Sequence, residues 1–254
     1  ATELSKEHKV GFLDLDIYGP SLPLRVGENQ TPKIIDQKLI PIKKYGMQLM
    51  SFGFLNQGDS PAIWRGPMVA KLTNQFFDNV DWGKLDYLVI DLPPGTGDIQ
   101  LTLAQKLSLD GIIMITTPQE IALQDVRKGS EMFKKVNVPI LGIIENMSKI
   151  SISGKFIPNQ QTKKISGKII IDDKEFEIDK DGFFNIDYKI FDGPGGMSES
   201  KRLNIPLLGR IPLDSGLSRS VDNGTPFIFE HTNNSITNEF QKIEQIIKNR
   251  LNAT

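Results

Sequence analysis

Carboxylates follow two apolar segments of the sequence and could bind a metal ion. Val10–Leu13 leads into Asp14 and Asp16, and Tyr87–Ile90 leads into Asp91. If both segments are strands of one parallel sheet, their carboxyl ends share the edge at which open α/β sheets bind ligands. Asp14 and Asp16 would share one face if the strand continues through both. Mg²⁺ prefers such oxygen ligands and often binds them through water. The alternative is that each aspartate only caps the turn or helix after it.

A turn rich in proline and glycine follows Asp91. Pro93 and Pro94 lack a backbone N–H and stiffen the turn, whereas Gly95 lets the backbone approach a phosphate closely. Many nucleotide hydrolases hold Mg²⁺ and contact the γ-phosphate with a strand, an aspartate and a glycine-containing turn in this order. Together with the two aspartates at 14 and 16, this pattern favours a nucleotide site over simple helix caps.

The elements that would position these residues alternate between strands and helices. Continuous apolar runs predict strands that are covered on both faces, and the segments between them show helical periodicity. We therefore expect an α/β fold with a mostly parallel sheet and helices on both faces. The predicted strands are Val10–Leu13, Met47–Phe54, Tyr87–Ile90, Ile112–Ile115, Ile140–Ile144 and Pro206–Ile211, and the predicted helices are about 68–77, 99–107, Gln119–Val136, Ser215–Val221 and Ser235–Leu251.

Residues 149–190 differ in composition from the rest of the chain. They are rich in Lys, Ile, Asp and Gly, and the segment around Asp172 and Asp173 is typical of a β-hairpin that turns there. We expect a single domain over residues 1–254, with 149–190 as a small antiparallel insertion within it.

The composition excludes several classes of function. The 254 residues carry a formal net charge of -1, so no basic excess favours binding to nucleic acid. No apolar run reaches the ~20 residues of a membrane span. The N-terminal residues do not resemble a signal peptide, so the expected location is the cytoplasm. The sequence contains no cysteine, which excludes disulfides and cysteine-ligated clusters within these residues.

Seven motifs of the sequence resemble those of one ATPase family, the Mrp/ApbC family of P-loop ATPases. Members of that family carry and transfer iron–sulfur clusters and are related to the MinD group. The resemblance covers about residues 8–148 and 190–226. The motifs are Asp14-Leu-Asp-Ile-Tyr-Gly-Pro-Ser21, Trp64-Arg-Gly-Pro-Met68, Val89-Ile-Asp-Leu-Pro-Pro-Gly-Thr-Gly-Asp98, Thr117-Pro-Gln-Glu120, Glu145-Asn-Met-Ser148, Leu207-Leu-Gly-Arg-Ile-Pro-Leu-Asp214 and Asp222-Asn-Gly-Thr-Pro226.

The resemblance implies roles for residues on the phosphate side of an ATP site. Asp16 corresponds to the catalytic carboxylate that orients or activates the attacking water, and Asp14 would support it and the metal shell. Asp91 corresponds to the residue that holds Mg²⁺ through water. Gly95 would lie near the γ-phosphate.

The resemblance also implies residues on the base side of the site. Asn146 corresponds to the residue that hydrogen-bonds adenine, since an amide can both donate to and accept from a base edge. Pro212 and Asp214 correspond to the loop that flanks the base. The implied cofactors are therefore ATP and Mg²⁺.

Two elements of the family pattern are missing from these residues. No Gly-x-x-x-x-Gly-Lys-Ser/Thr loop occurs, and residues 1–10 resemble the end of the helix that follows such a loop. We therefore expect the chain to lack an upstream phosphate-binding strand and loop, and to hydrolyse little ATP by itself. The Cys-x-x-Cys pair with which two subunits share a cluster is also absent, so cluster binding in the usual manner is not expected. The resemblance implies a homodimer that serves iron–sulfur acceptor proteins.

The expected function is ATP binding and hydrolysis in iron–sulfur cluster assembly or transfer. One alternative is a non-catalytic nucleotide-binding scaffold, which the missing loop and cysteines support. Another is a MinD-like positioning ATPase. The motif at 64–68 and a C-terminal helix without a basic excess on its polar face argue against this second alternative.

Overall fold

A computed structural model describes residues 1–17, 19–55, 76, 78–93, 95, 98–157 and 167–252 of the chain. The motif at 64–68 and residues 68–75 of a predicted helix lie outside the described residues. So do Pro94, Thr96 and Gly97 of the turn after Asp91.

The first sheet places the two aspartate-bearing strands side by side. Its strands are β1 (Val10–Asp14), β4 (Ile42–Lys44), β5 (Met47–Ser51) and β6 (Tyr87–Asp91), while β2 (Ile34–Ile35) and β3 (Lys38–Leu39) form a separate ribbon. The order is β4-β5-β1-β6, in which β1 is parallel to β5 and β6, and β4 is antiparallel to β5. The predicted strand over Met47–Phe54 is shorter than expected, because Phe52–Phe54 forms a 3₁₀ turn whose Gly53 N–H donates to the Ser51 hydroxyl.

The second sheet is built around one long strand. Its strands are β7 (Ile112–Thr116), β8 (Ile140–Lys155), β11 (Phe183–Tyr188) and β12 (Leu207–Leu213). The first part of β8 is parallel to β7 and β12, and its last part is antiparallel to β11. β8 therefore continues well beyond the predicted Ile140–Ile144.

Helices cover these sheets, and four of them lie at or near predicted positions, whereas those at Leu22–Val26, Gly195–Leu203 and Phe227–Glu230 were not predicted. The amphipathic periodicity buries one face of each long helix; Ile236 and Ile243, for example, pack against Leu208 and Ile211 of β12. The helices are α1 (Leu22–Val26), α2 (Asp98–Lys106), α3 (Glu120–Lys135), α4 (Gly195–Leu203), α5 (Ser215–Asp222), α6 (Phe227–Glu230) and α7 (Ser235–Leu251).

The insertion is antiparallel, as predicted. Two strands, β9 (Lys168–Ile171) and β10 (Lys174–Glu177), form a hairpin that turns at Asp172 and Asp173, both with positive φ. The hydroxyl of Tyr188 in β11 donates to the Asp172 carboxylate and so ties the hairpin to β11. We call β11, the hairpin and the part of β8 that pairs with β11 the arm.

A buried carboxylate joins α3 to α4. Glu199 is only 1% exposed and accepts from Nε of Arg127 at 2.6 Å and from Nε of Arg202 at 2.5 Å. Burial by itself would raise the pKa of Glu199, but the hydrogen bonds from Arg202 and Arg127 outweigh it and lower that pKa.

Candidate functional site

Asp14 and Asp91 face each other across adjacent parallel strands. They form a register pair at the carboxyl ends of β1 and β6. On the other side of β1, Asp14 is paired with Ser51 of β5. The sequence thus correctly predicted that both carboxylates lie at one edge of a parallel sheet.

The carboxylate of Asp14 is buried and occupied by hydrogen bonds from the protein. Oδ1 accepts from the backbone N–H of Asp16 at 3.0 Å, and Oδ2 accepts from the Ser51 hydroxyl at 2.9 Å and the Leu22 N–H at 3.4 Å. These bonds fix both ends of the loop between β1 and α1. Asp14 is therefore placed to hold the loop in shape.

Asp16 lies in this loop and not in the strand. β1 ends at Asp14, so the condition under which the two aspartates would share a strand face is not met, and a turn closed by Asp14 relates them instead. The carboxylate of Asp16 accepts from the N–H of Gly19 at 3.1 Å, and the Leu15 N–H donates to the Asp91 carbonyl at 3.0 Å. The loop is thereby held beside β6.

Asp91 is the exposed carboxylate of the group. Its pKa is raised, first by partial burial and then by repulsion from Asp14 and Asp16, while Arg25 opposes the shift. This negative charge, which Arg25 offsets only in part, suits a divalent cation. Within the described ranges, no three His, Asp or Glu side chains are grouped closely enough to enclose a metal ion. The exposed carboxylate of Asp91, next to Asp14 and Asp16, is the kind of oxygen donor that fits a largely hydrated Mg²⁺.

The turn after Asp91 is braced from the following helix. Gln100 of α2 is buried, and its Nε2 donates to the Pro93 carbonyl at 2.8 Å. Gly95 has a φ of +104°, and a Cβ at this position would meet no atom within 4 Å among the described residues. The backbone of Gly95 is thus open to a close-approaching group.

The base-side residues meet on the second sheet. Asn146 of β8 is paired with Ile211 of β12, directly before Pro212. The pairing then shifts, since Leu213 lies opposite Ile150, and Met147 in the bulge has a positive φ of 53°. The side-chain carbonyl of Asn146 accepts from the Met147 N–H at 2.9 Å.

Asp214 caps α5. Its Oδ1 accepts from the backbone N–H groups of Gly216 at 2.7 Å and Leu217 at 3.1 Å. This cap fixes the start of α5 at Ser215, three residues after Pro212. The structure therefore places Asp14 and Asp91 at strand ends of the first sheet, with Asp16 and Gly95 in the segments that follow. Asn146 and Pro212 lie in strands of the second sheet, and Asp214 follows β12.

Sequence reasoning missed three supporting side chains. Glu145, just before Asn146, is buried and accepts from the Gly196 N–H at 2.6 Å and from Nε of Arg210 at 3.2 Å. Ser51 and Gln100 likewise support Asp14 and the turn after Asp91. The available signal was a polar residue at the end of, or within, an apolar run.

Among the helices of the described ranges, none has the length and apolar character required to cross a bilayer.

Comparison with known proteins identifies the family. Residues 1–169 and 183–248 match the family model described as "ParA: NUBPL iron-transfer P-loop NTPase". The chain is 38% identical over 244 residues to an iron-sulfur cluster carrier protein of Aquifex aeolicus, covering 94% of this chain and 59% of that protein. It is 35% identical to the iron-sulfur cluster transfer protein NUBPL of Mus musculus, covering 96% of this chain and 68% of that protein. The chain thus spans little more than half of the Aquifex relative.

Solved structures support the same fold. A nucleotide-binding protein from Archaeoglobus fulgidus, solved in complex with ADP, is similar with a TM-score of 0.66 and 29% identity, covering 90% of this chain and 79% of that chain. The Mg-ADP complex of MinD from Pyrococcus horikoshii is similar in fold, with a TM-score of 0.59 and 18% identity, covering 95% and 84%. The chain has a MinD/ParA-like P-loop NTPase fold and belongs to the NUBPL-type family of iron-transfer P-loop NTPases, which includes the iron–sulfur cluster carrier proteins.

Proposed function

We propose that this chain is the greater part of an ATP-hydrolysing iron–sulfur cluster carrier. The observation that supports this most directly is the pairing of Asp14 with Asp91 at the ends of adjacent strands, with Asp16 held in the loop beside them. This arrangement concentrates negative charge where ligands bind in an open α/β sheet. A Mg²⁺ ion bound together with the phosphates would offset that charge.

The proposed chemistry is attack of water on the γ-phosphate of ATP. Asp16 accepts a hydrogen bond from the water and orients it, and Asp14 keeps the Asp16 loop in place. Asp91 would hold Mg²⁺, and the bound ion would supply positive charge against the phosphate oxygens. Such reactions depend mainly on positioning and electrostatic stabilisation. Gly95 follows Asp91 by four residues, and its backbone would contact the phosphate.

The base of the nucleotide would bind beside the bulge at which the pairing of β8 with β12 shifts. Asn146 offers an amide to the base edge, and Pro212 and Asp214 form the adjacent loop. The similarity to an ADP complex at 29% identity supports a nucleotide in this fold.

We also propose that a further parallel strand, with a phosphate-binding loop, lies upstream in the whole protein. Within the described part of the chain, β6 pairs only with β1, and β7 pairs only with β8. Leu88 of β6 is 37% exposed and Ile115 of β7 is 64% exposed, which is unusual for apolar strands of a parallel sheet. A strand inserted beside β6 or β7 would cover such residues.

The cluster is proposed to be cargo that the whole protein, as a homodimer, hands to an acceptor protein. These 254 residues contain no cysteine, so any side chain among them that bound the cluster would have to be of another type. Cysteine ligands would have to come from outside these residues. The same absence favours a second candidate, a nucleotide-binding scaffold without cargo. Iron and sulfide analysis after anaerobic reconstitution, together with the dimer mass in solution, separates the two.

The test of the ATPase proposal uses the whole natural protein and this chain side by side. We expect magnesium-dependent phosphate release from the whole protein and little from residues 1–254. In the whole protein, Asp16→Asn should lower kcat about 100-fold or more, whereas Asn146→Ala should mainly raise KM. Asp110→Asn, an exposed change away from the site, is the control. Hydrolysis that is equally fast in Asp16→Asn would contradict the proposed role of Asp16.

A further inference from the structure

Two helices end against each other at a pair of glycines. Gly27 caps the C-terminus of α1, and Gly224 follows the C-terminus of α5. A Cβ on Gly224 would lie 2.5 Å from both the nitrogen and the Cα of Gly27. Both glycines have positive φ, 58° and 68°. Only glycine allows the two backbones to approach this closely.

The turn between β4 and β5 binds both glycines. Nζ of Lys44 donates to the Gly27 carbonyl at 2.6 Å, and the hydroxyl of the adjacent Tyr45 donates to the Gly224 carbonyl at 2.7 Å. The ring of Tyr45 also lies 5.4 Å from that of Phe229 in α6. One short turn therefore fastens the ends of both helices. We call Gly27, Gly224, Lys44 and Tyr45 the joint.

The N-terminal ends of α1 and α5 lie next to the two groups of candidate site residues. Leu22, the first residue of α1, donates its N–H to Oδ2 of Asp14. Asp214 caps the first turn of α5. The helices have five and eight residues, so their combined length is about 20 Å. The joint is thus connected by short, hydrogen-bonded segments to the Asp14–Asp16 loop and to the Pro212–Asp214 loop.

The joint is not the only connection between the two sheets. Leu92, after β6, packs against the core cluster that contains Leu13 and against the one that contains Met114. Weakening the joint should therefore leave the two sheets associated. Weakening the joint should instead loosen the C-terminal end of α1.

We infer that Gly224 and Tyr45 are positioning residues that couple the Pro212–Asp214 loop to the Asp14–Asp16 loop through α5 and α1. The coupling itself is a property of the apoprotein, and its use in nucleotide binding rests on the proposed function. A nucleotide base that orders the Pro212–Asp214 loop would, through the joint, also order the loop that carries Asp16.

The first test needs no nucleotide. Hydrogen exchange is measured at the backbone amides of α1 in Gly224→Ala and in Gly83→Ala, a matched control. Gly83 also has a positive φ, 60°, but a Cβ there would meet no described atom within 4 Å. We expect exchange in α1 to be about tenfold faster in Gly224→Ala than in the control, with α3 and α7 unchanged. Equal hydrogen-exchange rates of the α1 amides in the two variants would contradict the inference that the joint holds α1 in place.

A milder variant covers the case in which Gly224→Ala does not fold. Tyr45→Phe removes only the hydroxyl that binds the Gly224 carbonyl, and should speed exchange of α1 about threefold. Tyr188→Phe, which removes a tyrosine hydroxyl bond in the arm, should leave α1 unchanged. If both phenylalanine variants affect α1 alike, the inference fails.

Addition of ADP then separates the inference from the proposed function. In the wild-type protein, ADP should slow exchange both at Gly216 and Leu217 and in α1. In Tyr45→Phe the slowing should persist at α5 and weaken in α1. Binding of ADP that leaves wild-type α1 unaffected would overturn the coupling. Failure of the whole natural protein to bind ADP would contradict the proposed function, while hydrogen exchange in the apoprotein still tests whether the joint holds α1 in place.

Discussion

The hydroxyl of Ser51 donates a 2.9 Å hydrogen bond to Oδ2 of Asp14 from the neighbouring parallel strand, and both side chains are buried. This bond joins β5 to the loop that carries Asp16. It explains why a carboxylate at a strand end can remain inside the protein, since burial of a charge requires such partners.

Replacement of Ser51 should therefore be costly. Ser51→Ala leaves a buried carboxylate with one donor fewer, and we expect a loss of about 2 kcal/mol in the free energy of unfolding. Urea denaturation measures this loss. Ser151→Ala is the control, because Ser151 also donates to a carboxylate, that of Asp187 at 2.6 Å, but on an exposed surface. Similar losses in the two variants would mean that burial of the Ser51 bond is unimportant.

Asp91→Asn should stabilise the metal-free protein at neutral pH. The pKa of Asp91 is raised by partial burial and by Asp14 and Asp16, so the folded protein binds this proton more tightly than the unfolded chain. The destabilisation consequently grows as pH rises from 3.8 through the raised pKa, and is complete above it. Asparagine removes this contribution, and we expect a gain of about 2 °C in Tm at pH 7.

Thermal melts across this pH range check the sign. The gain of Asp91→Asn should vanish as pH falls toward 4, and millimolar Mg²⁺ with ADP should stabilise the wild-type protein more than the variant. Asp110→Asn should show neither effect. A gain that does not change with pH would show that charge repulsion at Asp91 is not its cause.

Glu199→Gln should loosen the contact between α3 and α4. The change removes the charge that Arg127 and Arg202 share, at a cost of about 2 kcal/mol. Because the pKa of Glu199 is lowered in the folded protein, its contribution is present above the ordinary carboxyl range and is lost as pH falls through the lowered pKa. Denaturation at neutral and acid pH measures both effects. Glu131→Gln, an exposed partner of Arg202 at 3.6 Å, should cost less than about 1 kcal/mol.

Asp214 offers a test of how a helix cap affects ligand binding. Asp214→Ala should lower the free energy of unfolding by about 1 kcal/mol, whereas Asp214→Ser should retain most of the cap. Asn234→Ala removes an equivalent cap from α7, where the side chain accepts from the Ile236 N–H at 2.8 Å. Calorimetric titration with ADP should show weaker binding in Asp214→Ala alone. Weaker binding in Asn234→Ala as well would indicate a general loss of stability.

The positions at which the strands with Asp14 and Asp91 end were predictable from the sequence. The strands that lie beside them were not. Apolar runs that stop at Asp14 and Asp91 identify the edge of the sheet without knowledge of its order. The pairing of Asp14 with Ser51 requires β5 to lie beside β1, which depends on tertiary packing. The turn at Asp16 could not be predicted, because the sequence left open whether the strand continues beyond Asp14, and the hydrogen bond from the Asp16 N–H to Asp14 shows that it does not.

Long-range contacts were equally hidden in the sequence. Tyr45 and the carbonyl of Gly224 are 179 residues apart, and no local pattern relates them. The extension of β8 to Lys155 was missed because its last part is exposed and polar, with Ser151 and Ser153 paired to β11 instead of buried in the core.

The length of β8 has a mechanical consequence. The backbone that presents Asn146 continues without a break into the arm, and only three residues separate Asn146 from Ile150, where pairing with β11 begins. A protein that bound the arm and displaced it would therefore also displace the backbone at Asn146. The chain would bend at the bulge, where Met147 has a positive φ.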